Sequence, residues 1–456
     1  FKKFYREFLA AFCANLTILS CGIAIIWPSP TLPILLHDNS PLKITSNQGA
    51  WIVAILAVGG VLGPIISASI VDRVGRKLTL LVATIPLIIA WILILLAKNV
   101  YILYLARIIT GIGINMCLAT VPMYLGEIST DQKRGFITSM ISVMIILGGI
   151  LTYSIGPFVS FRTFPWVALG VIVLFLILAM FIMPETPYYL VSRDKIFEAE
   201  NSLKWLRNSD NVKTEVNMIQ MSIELAKQNR ATVRELFTKR NRKSLFLVLA
   251  LHASQLMSGS QVIEVFAQLI FEDVADGLRA EYSAIILGVV QLISAIVSSI
   301  LLDKIGRRPL IIFSSIGCAI CTFLTGLYFL LARSTNIELK FINWLPLTSL
   351  IFYTIIFNMG LSTTPFTIIA EIFPTNIKAH GIATQTIFGA VVAASTAKFF
   401  QVTHDSFGAT IPFWTFTIFL IIFCVTFWKH LPETKGKSLN LILNEMKVYD
   451  YSFQNK

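Results

Sequence analysis

Charge is scarce in this chain. Only 14% of its 456 residues are Asp, Glu, Lys or Arg, against 55% hydrophobic. A water-soluble fold of this length cannot hide so much apolar surface, so lipid must be the solvent. Acid is scarcer than base: 25 Asp and Glu face 37 Lys and Arg, leaving a net charge of +12. There are only five His, none at metal-ligand spacing, so no metal and no other cofactor is expected. No Gly-rich phosphate loop is present, which excludes ATP drive, and nothing in the sequence points to an enzyme. The six Cys all fall inside apolar stretches. Cys318 and Cys321 have the spacing of a zinc or redox pair. Without a second pair or a nearby His they read as helix packing. The first apolar stretch lacks a small-residue cleavage site, so it reads as a span and not as a removed leader.

What the chain does have is apolar runs of roughly 20 residues, about twelve of them. They divide the sequence into a six-span half over 1–186, a polar segment over 187–243, a second six-span half over 244–430 and a polar tail over 431–456. Basic residues cluster in one set of connecting segments, including Lys2, Lys3, Arg6, Arg73, Lys77 and Lys133. By the positive-inside rule those segments, both termini and 187–243 are cytoplasmic. A basic face against anionic lipid accounts for the positive charge, so a bilayer is the expected partner and nucleic acid is not. Within 187–243, Ile196, Ala199, Leu203 and Leu206 recur at helical spacing, which predicts amphipathic helices.

One short motif occurs twice. Asp72-Arg73-Val74-Gly75-Arg76-Lys77 and Asp303-Lys304-Ile305-Gly306-Arg307-Arg308 each join two apolar runs at matching places in the two halves. A duplicated membrane bundle with a site between its halves is a common build of secondary transporters.

Further motifs follow in order: Arg107 with Gly111 and Gly113; Pro122-Met123-Tyr124-Leu125-Gly126-Glu127 with Arg134-Gly135; Pro184-Glu185-Thr186-Pro187; and Pro432-Glu433-Thr434-Lys435-Gly436. Together with the basic loops they make the chain resemble the sugar porter family of the major facilitator superfamily, over nearly its whole length. Trp27-Pro28-Ser29-Pro30, Lys398 and Gln401 are most similar to the branch of insect facilitated trehalose transporters. The resemblance implies an all-α fold of twelve transmembrane helices in two pseudo-symmetric halves, a sugar substrate and a plasma-membrane location. It says nothing of oligomeric state. It also implies inter-helix salt bridges that form and break as the inner side closes and opens. Asp72, Arg76, Glu127, Arg134 and Glu185 supply these in the first half, with Arg107 on span four. Asp303, Arg307, Glu371, Lys378 and Glu433 supply them in the second.

Several positions depart from the family. Its span-five Gln is Ser142. Its Gln-Gln-Leu-Ser-Gly-Ile-Asn on span seven reads Gln255-Leu256-Met257-Ser258-Gly259-Ser260-Gln261. Pro365-Phe366 is what remains of the span-ten Gly-Pro-x-Pro-Trp, and the span-eleven Asn-Trp is Gly389-Ala390. Glucose contacts are therefore missing. Amides suit a sugar because each both donates and accepts. The candidate contacts are Gln255, Gln261, Glu264, Gln291, Asn358 and Phe366. Gln261, Glu264 and Gln268 fall at helical spacing on one face of span seven. The Ser258-Gly259-Ser260 break could turn Gln255 into the same cavity. Gln291, Ser294 and Ser298 form a stripe on span eight, as Asn358 and Ser362 do on span ten. Polar stripes facing lipid are costly, so these faces should line a watery path.

Glu264 is an intramembrane carboxylate. It could bond substrate, carry a proton or pair with Lys398. Proton-coupled members of the family carry an Asp on span one, whereas residues 8–27 here contain no acid. Facilitated movement of trehalose or a related sugar is the expected activity. A proton symporter using Glu264 and a non-transporting nutrient sensor stay open beside it.

Overall fold

A computed structural model describes residues 5–38, 40, 42–130, 133–228, 233–274, 278–334, 342–365, 368, 372–373 and 375–433. Among these residues the secondary structure is helical, and twelve helices are long and apolar enough to cross a membrane. Spans one to six are Tyr5–Leu36, Ser46–Val74, Arg76–Leu95, Val100–Ile128, Arg134–Phe158 and Phe164–Ile182. Spans seven to twelve are Asn241–Val265, Ala280–Ser298, Arg307–Arg333, Leu345–Ser362, His380–Phe407 and Thr410–His430. The chain forms two compact units. The first comprises Phe1–Ile44 and Ile55–Arg230, the second Thr45–Ala54 and Ala231–Lys456.

In the first unit, helices approach closely where glycines meet. A Cβ on Gly111 of span four would lie 3.0 Å from the Cα of Gly59 on span two. One on Gly148 of span five would lie 3.0 Å from the carbonyl carbon of Gly22 on span one. Small residues thus replace the hydrophobic driving force that lipid does not provide. Span one is interrupted at Trp27, where a new helix, Pro28–Leu36, begins. Pro28 has no N–H to give to the carbonyl of Ala24 four residues back. The buried Arg107 of span four takes that carbonyl instead, Nη1 to O at 2.7 Å, with its guanidinium 5.7 Å from the Trp27 ring.

The helices Pro187–Ser192, Ile196–Arg207 and Lys213–Gln228 pack through Leu190, Ala199, Leu203, Val216 and Ile219 and belong to the first unit. Their polar anchor is Arg207. It meets Glu7 at 2.5 Å and Glu215 at 2.6 Å, and donates to the Ile128 carbonyl at 2.8 Å. Burial opposes the charge of Arg207, but the Glu215 and Glu7 carboxylates outweigh it and hold its pKa above the usual value.

In the second unit, span seven is interrupted twice. Its first helix ends at Met257, a second runs Ser260–Val265, and Ala267–Glu272 follows after Phe266. Gly259 has φ +88°, a left-handed conformation that only glycine adopts without strain, and the Phe416 ring fills the space where a side chain would stand. The hydroxyls of Ser258 and Ser260 both donate to the Gln255 carbonyl, at 2.7 and 2.9 Å. Span ten ends in a π-helical turn, Asn358–Ser362. Such turns release carbonyls from the ordinary helical ladder and recur at functional sites.

Candidate functional site

Spans seven, eight and ten enclose a small cavity in the second unit. Glu264, Gln291, Ser260, Tyr353 and Asn358 supply its polar lining, and Ile263, Leu287 and Phe357 its apolar walls. The space is about that of a water molecule. Gln291 Nε2 donates to Glu264 Oε1 at 2.7 Å. The Tyr353 hydroxyl lies 2.8 Å from Ser258 Oγ. Asn358 spends its Nδ2 on the carbonyl of Thr354 at 2.9 Å, while its own carbonyl accepts from Ser298 at 2.5 Å. A carboxylate, two amides and a phenol on apolar walls is a chemistry suited to a polyhydroxylated ligand.

The other substrate candidates lie elsewhere. Gln255 does not line this cavity. Its Nε2 donates to the Ser362 carbonyl at 3.2 Å and its Oε1 meets His252 Nδ1 at 3.1 Å. Gln261 and Gln268 do not line it either; the break at Phe266 places Gln268 in the next helix, outside the register of Glu264. Gln261 Oε1 is buried without a hydrogen-bond partner among the described residues. Phe366 and Glu371 lie outside the described residues, as do the side chains of Asp303 and Lys378.

Lys398 is not placed beside Glu264. Its ammonium bonds Asn47 and stands 4.9 Å from the Trp51 ring. One turn on, Gln401 donates to Ser46 at 2.7 Å and to Asp405 at 2.9 Å. His404 meets Asp273 at 2.6 Å. These bonds explain why the start of span two groups with the second unit.

The duplicated basic motif has a duplicated partner. At Gly75, φ +101°, the chain turns into span three, and the first helical N–H groups point at Glu185. Arg76 N reaches Glu185 Oε1 at 3.0 Å and Lys77 N reaches Oε2 at 3.1 Å. At Gly306, φ +107°, Arg307 N reaches Glu433 Oε1 at 3.0 Å and Arg308 N reaches Oε2 at 3.1 Å. A carboxylate at a helix N-terminus satisfies orphan donors and complements the dipole. In each unit, Glu185 or Glu433 therefore grips backbone N–H groups, a contact the motif alone did not indicate.

The Arg76 side chain is a separate node. It pairs with Glu127 at 3.0 Å and Asp72 at 3.3 Å and lies 5.6 Å from the Tyr189 ring. Glu127 also accepts from Thr186 at 2.6 Å. Arg107 stands on span four beside Trp27, with its guanidinium on the Ala24 carbonyl. Sequence reasoning missed Glu7, Arg207 and His252. Glu7 and Arg207 are 200 residues apart. A lone basic residue in a polar segment carries no mark of such a pairing.

The family model for "Sugar (and other) transporter" matches residues 24–445. The chain belongs to this family. It is a multi-pass membrane transporter and not an enzyme. Its relatives include a facilitated trehalose transporter, Tret1, of Bombyx mori, 28% identical over 97% of this chain and 87% of the relative. Tret1 of Apis mellifera ligustica is 29% identical over 96% of this chain and 88% of the relative. Among solved structures, the partially occluded inward-open conformation of the xylose transporter XylE from E. coli has a TM-score of 0.79. It is 24% identical and covers 95% of this chain and 100% of that one. That likeness is one of fold: all-α, twelve-span, of the major facilitator kind.

Proposed function

We propose that the transporter carries trehalose or a related sugar across the plasma membrane, down its gradient, by alternating access. The observation that supports a sugar site is the Glu264–Gln291 pair, held at 2.7 Å beside Asn358, Ser260 and Tyr353 in a pocket walled by Ile263, Leu287 and Phe357. The carboxylate and amide can exchange bonds with each other for bonds with sugar hydroxyls. The disaccharide is favoured by the relatives, which are facilitated trehalose transporters. The cavity as it stands holds about one water, so a sugar enters only when the surrounding helices move.

Uniport is favoured by span one: its one acid, Glu7, sits in its first turn and pairs with Arg207, and no Asp or Glu follows through Leu36. An uncoupled carrier equilibrates its substrate and no more. In proteoliposomes, radiolabelled trehalose is expected to reach the outside concentration and stop, with or without an inward proton gradient. Accumulation above that level, abolished by a protonophore, would overturn uniport. It would favour the second reading, proton symport through Glu264, which rests on that residue's being an intramembrane carboxylate.

Both termini and residues 187–243 are assigned to the cytoplasm, on the strength of the Lys and Arg excess in these segments. Protease added to intact cells is expected to leave them whole and to cut them after permeabilisation. External cleavage within 187–243 would reverse the orientation.

A further inference from the structure

Span two is divided between the units. Its first helix, Ser46–Ala54, belongs to the second unit and its continuation, Leu56–Val74, to the first. Polar contacts at the end of span eleven hold the first helix. Ser46 Oγ donates to Asp405 Oδ2 at 2.5 Å, and Gln401 Nε2 reaches Ser46 Oγ at 2.7 Å and Asp405 Oδ1 at 2.9 Å. The cluster continues through His404. Its Nδ1 lies 3.8 Å from Asp405 Oδ1 and its Nε2 lies 2.6 Å from Asp273 Oδ2, at the end of the last helix of span seven. The imidazole thus stands between two carboxylates, one from its own helix and one from span seven.

Other charges stand further off. The helix Ser46–Ala54 carries none. Lys398, further back on span eleven, bonds Asn47 and faces Trp51. Arg333, at the end of span nine, donates to the Phe407 carbonyl. Glu272 precedes Asp273 and feels its charge and that of Glu281, which pairs with Arg279 at 3.3 Å. The His404 side chain is 20% exposed and that of Asp273 42%, so protons in the adjoining water reach the cluster.

Histidine changes charge between pH 5 and 8. A neutral imidazole has one N–H. Given to Asp273, it leaves the Nδ1 lone pair facing the Asp405 carboxylate, and the two repel. A proton on Nδ1 turns that repulsion into attraction, and charge-assisted bonds are about twice as strong as neutral ones. The same proton ties span seven to span eleven through Asp273 and steadies Asp405, the acceptor of Ser46.

We propose that His404 is an acid-sensitive latch: a proton from outside locks the start of span two and the end of span seven onto span eleven and slows the release that outward opening requires. This rests on the assignment of both termini to the cytoplasm, which puts these helix ends outside. The latch sets the rate of transport and not its end point, because the sugar gradient alone fixes where a uniporter stops.

The test is initial uptake of radiolabelled trehalose by cells at external pH 5.5 to 8, with internal pH held constant. The wild-type rate is expected to rise about fivefold over this range, the difference between a charged and a neutral hydrogen bond, with an unchanged final level. His404→Gln keeps an N–H for Asp273 and cannot be protonated, so it should be fast at every pH. Asp405→Asn removes the carboxylate facing Nδ1 and should also flatten the profile. Glu272→Gln should keep the wild-type profile. A profile that survives in His404→Gln, or that Glu272→Gln alone abolishes, would overturn the latch.

A readout without sugar separates this failure from failure of the sugar reading. Spin labels go on two exposed positions, Thr45→Cys and Phe407→Cys, in a Cys424→Ser background where the other five cysteines are buried. Wild-type His404 should give one short distance at pH 5.5 and a second, longer population at pH 8. With His404→Gln the longer population should appear at both. These distances without any trehalose uptake would overturn the sugar reading alone. Equal distances at the two pH values with His404 in place would overturn the latch whatever the transport result.

Discussion

Glu264→Gln is expected to raise the KM for sugar uptake by about tenfold or more while leaving surface expression near wild type. The side chain keeps its shape and can still accept from Gln291, so the packing around the 2.7 Å bond survives. What it loses is charge. A carboxylate offers two acceptor oxygens, and hydrogen bonds to a charged group contribute about 1.5–3 kcal/mol against about 1 kcal/mol for a neutral pair. Losing 1.4 kcal/mol of that is about tenfold in affinity. Glu264→Ala should be worse, because it also strands Gln291. Pairing with Lys398 is the alternative the sequence left open. The structure holds Lys398 on Asn47 and Trp51, so Lys398→Ala should leave the sugar KM nearly unchanged. Wild-type kinetics in a well-expressed Glu264→Gln variant would remove Glu264 from the binding role. A KM effect in Lys398→Ala equal to that in Glu264→Ala would restore the pairing.

How much of this was legible beforehand depends on the range of the interaction. Span length and number follow from the bilayer thickness, a local property of the sequence, and could be read directly. The break in span seven was visible in Ser258-Gly259-Ser260, because glycine permits the φ of +88° adopted there. The second break was not visible. The interruption at Phe266 puts Gln268 in a separate helix from Glu264, and a periodic pattern assumes no such break.

Gln255 illustrates the other limit. Its type and place were readable, but its partners are a carbonyl 107 residues away and a histidine whose seat is a glycine on span eleven. The same holds for Glu185 and Glu433. The motif marked them as important, yet their contact is with backbone N–H groups, which every residue carries and no sequence pattern displays.

Glu127→Ala is expected to destabilise the protein far more than Asp72→Ala, although both acids bond the same arginine. The Arg76 and Glu127 side chains are 11% and 16% exposed, while that of Asp72 is 78% exposed. An exposed ion pair contributes about 0–1 kcal/mol, because water already solvates both charges. Removing one partner of a buried pair costs about 3–5 kcal/mol, chiefly from the charge left without compensation. Glu127→Ala also withdraws the acceptor of Thr186, which caps the helix Pro187–Ser192. The measurement is thermal unfolding in detergent together with surface expression. Asp72→Ala should stay near wild type. Glu127→Ala should unfold at clearly lower temperature, and Arg76→Ala/Glu127→Ala should recover part of the loss by removing the stranded cation. Equal losses in the two acidic variants, or a double variant worse than Glu127→Ala, would mean that Arg76 is solvated in the working protein and that its bond to Glu127 contributes no more than a surface pair.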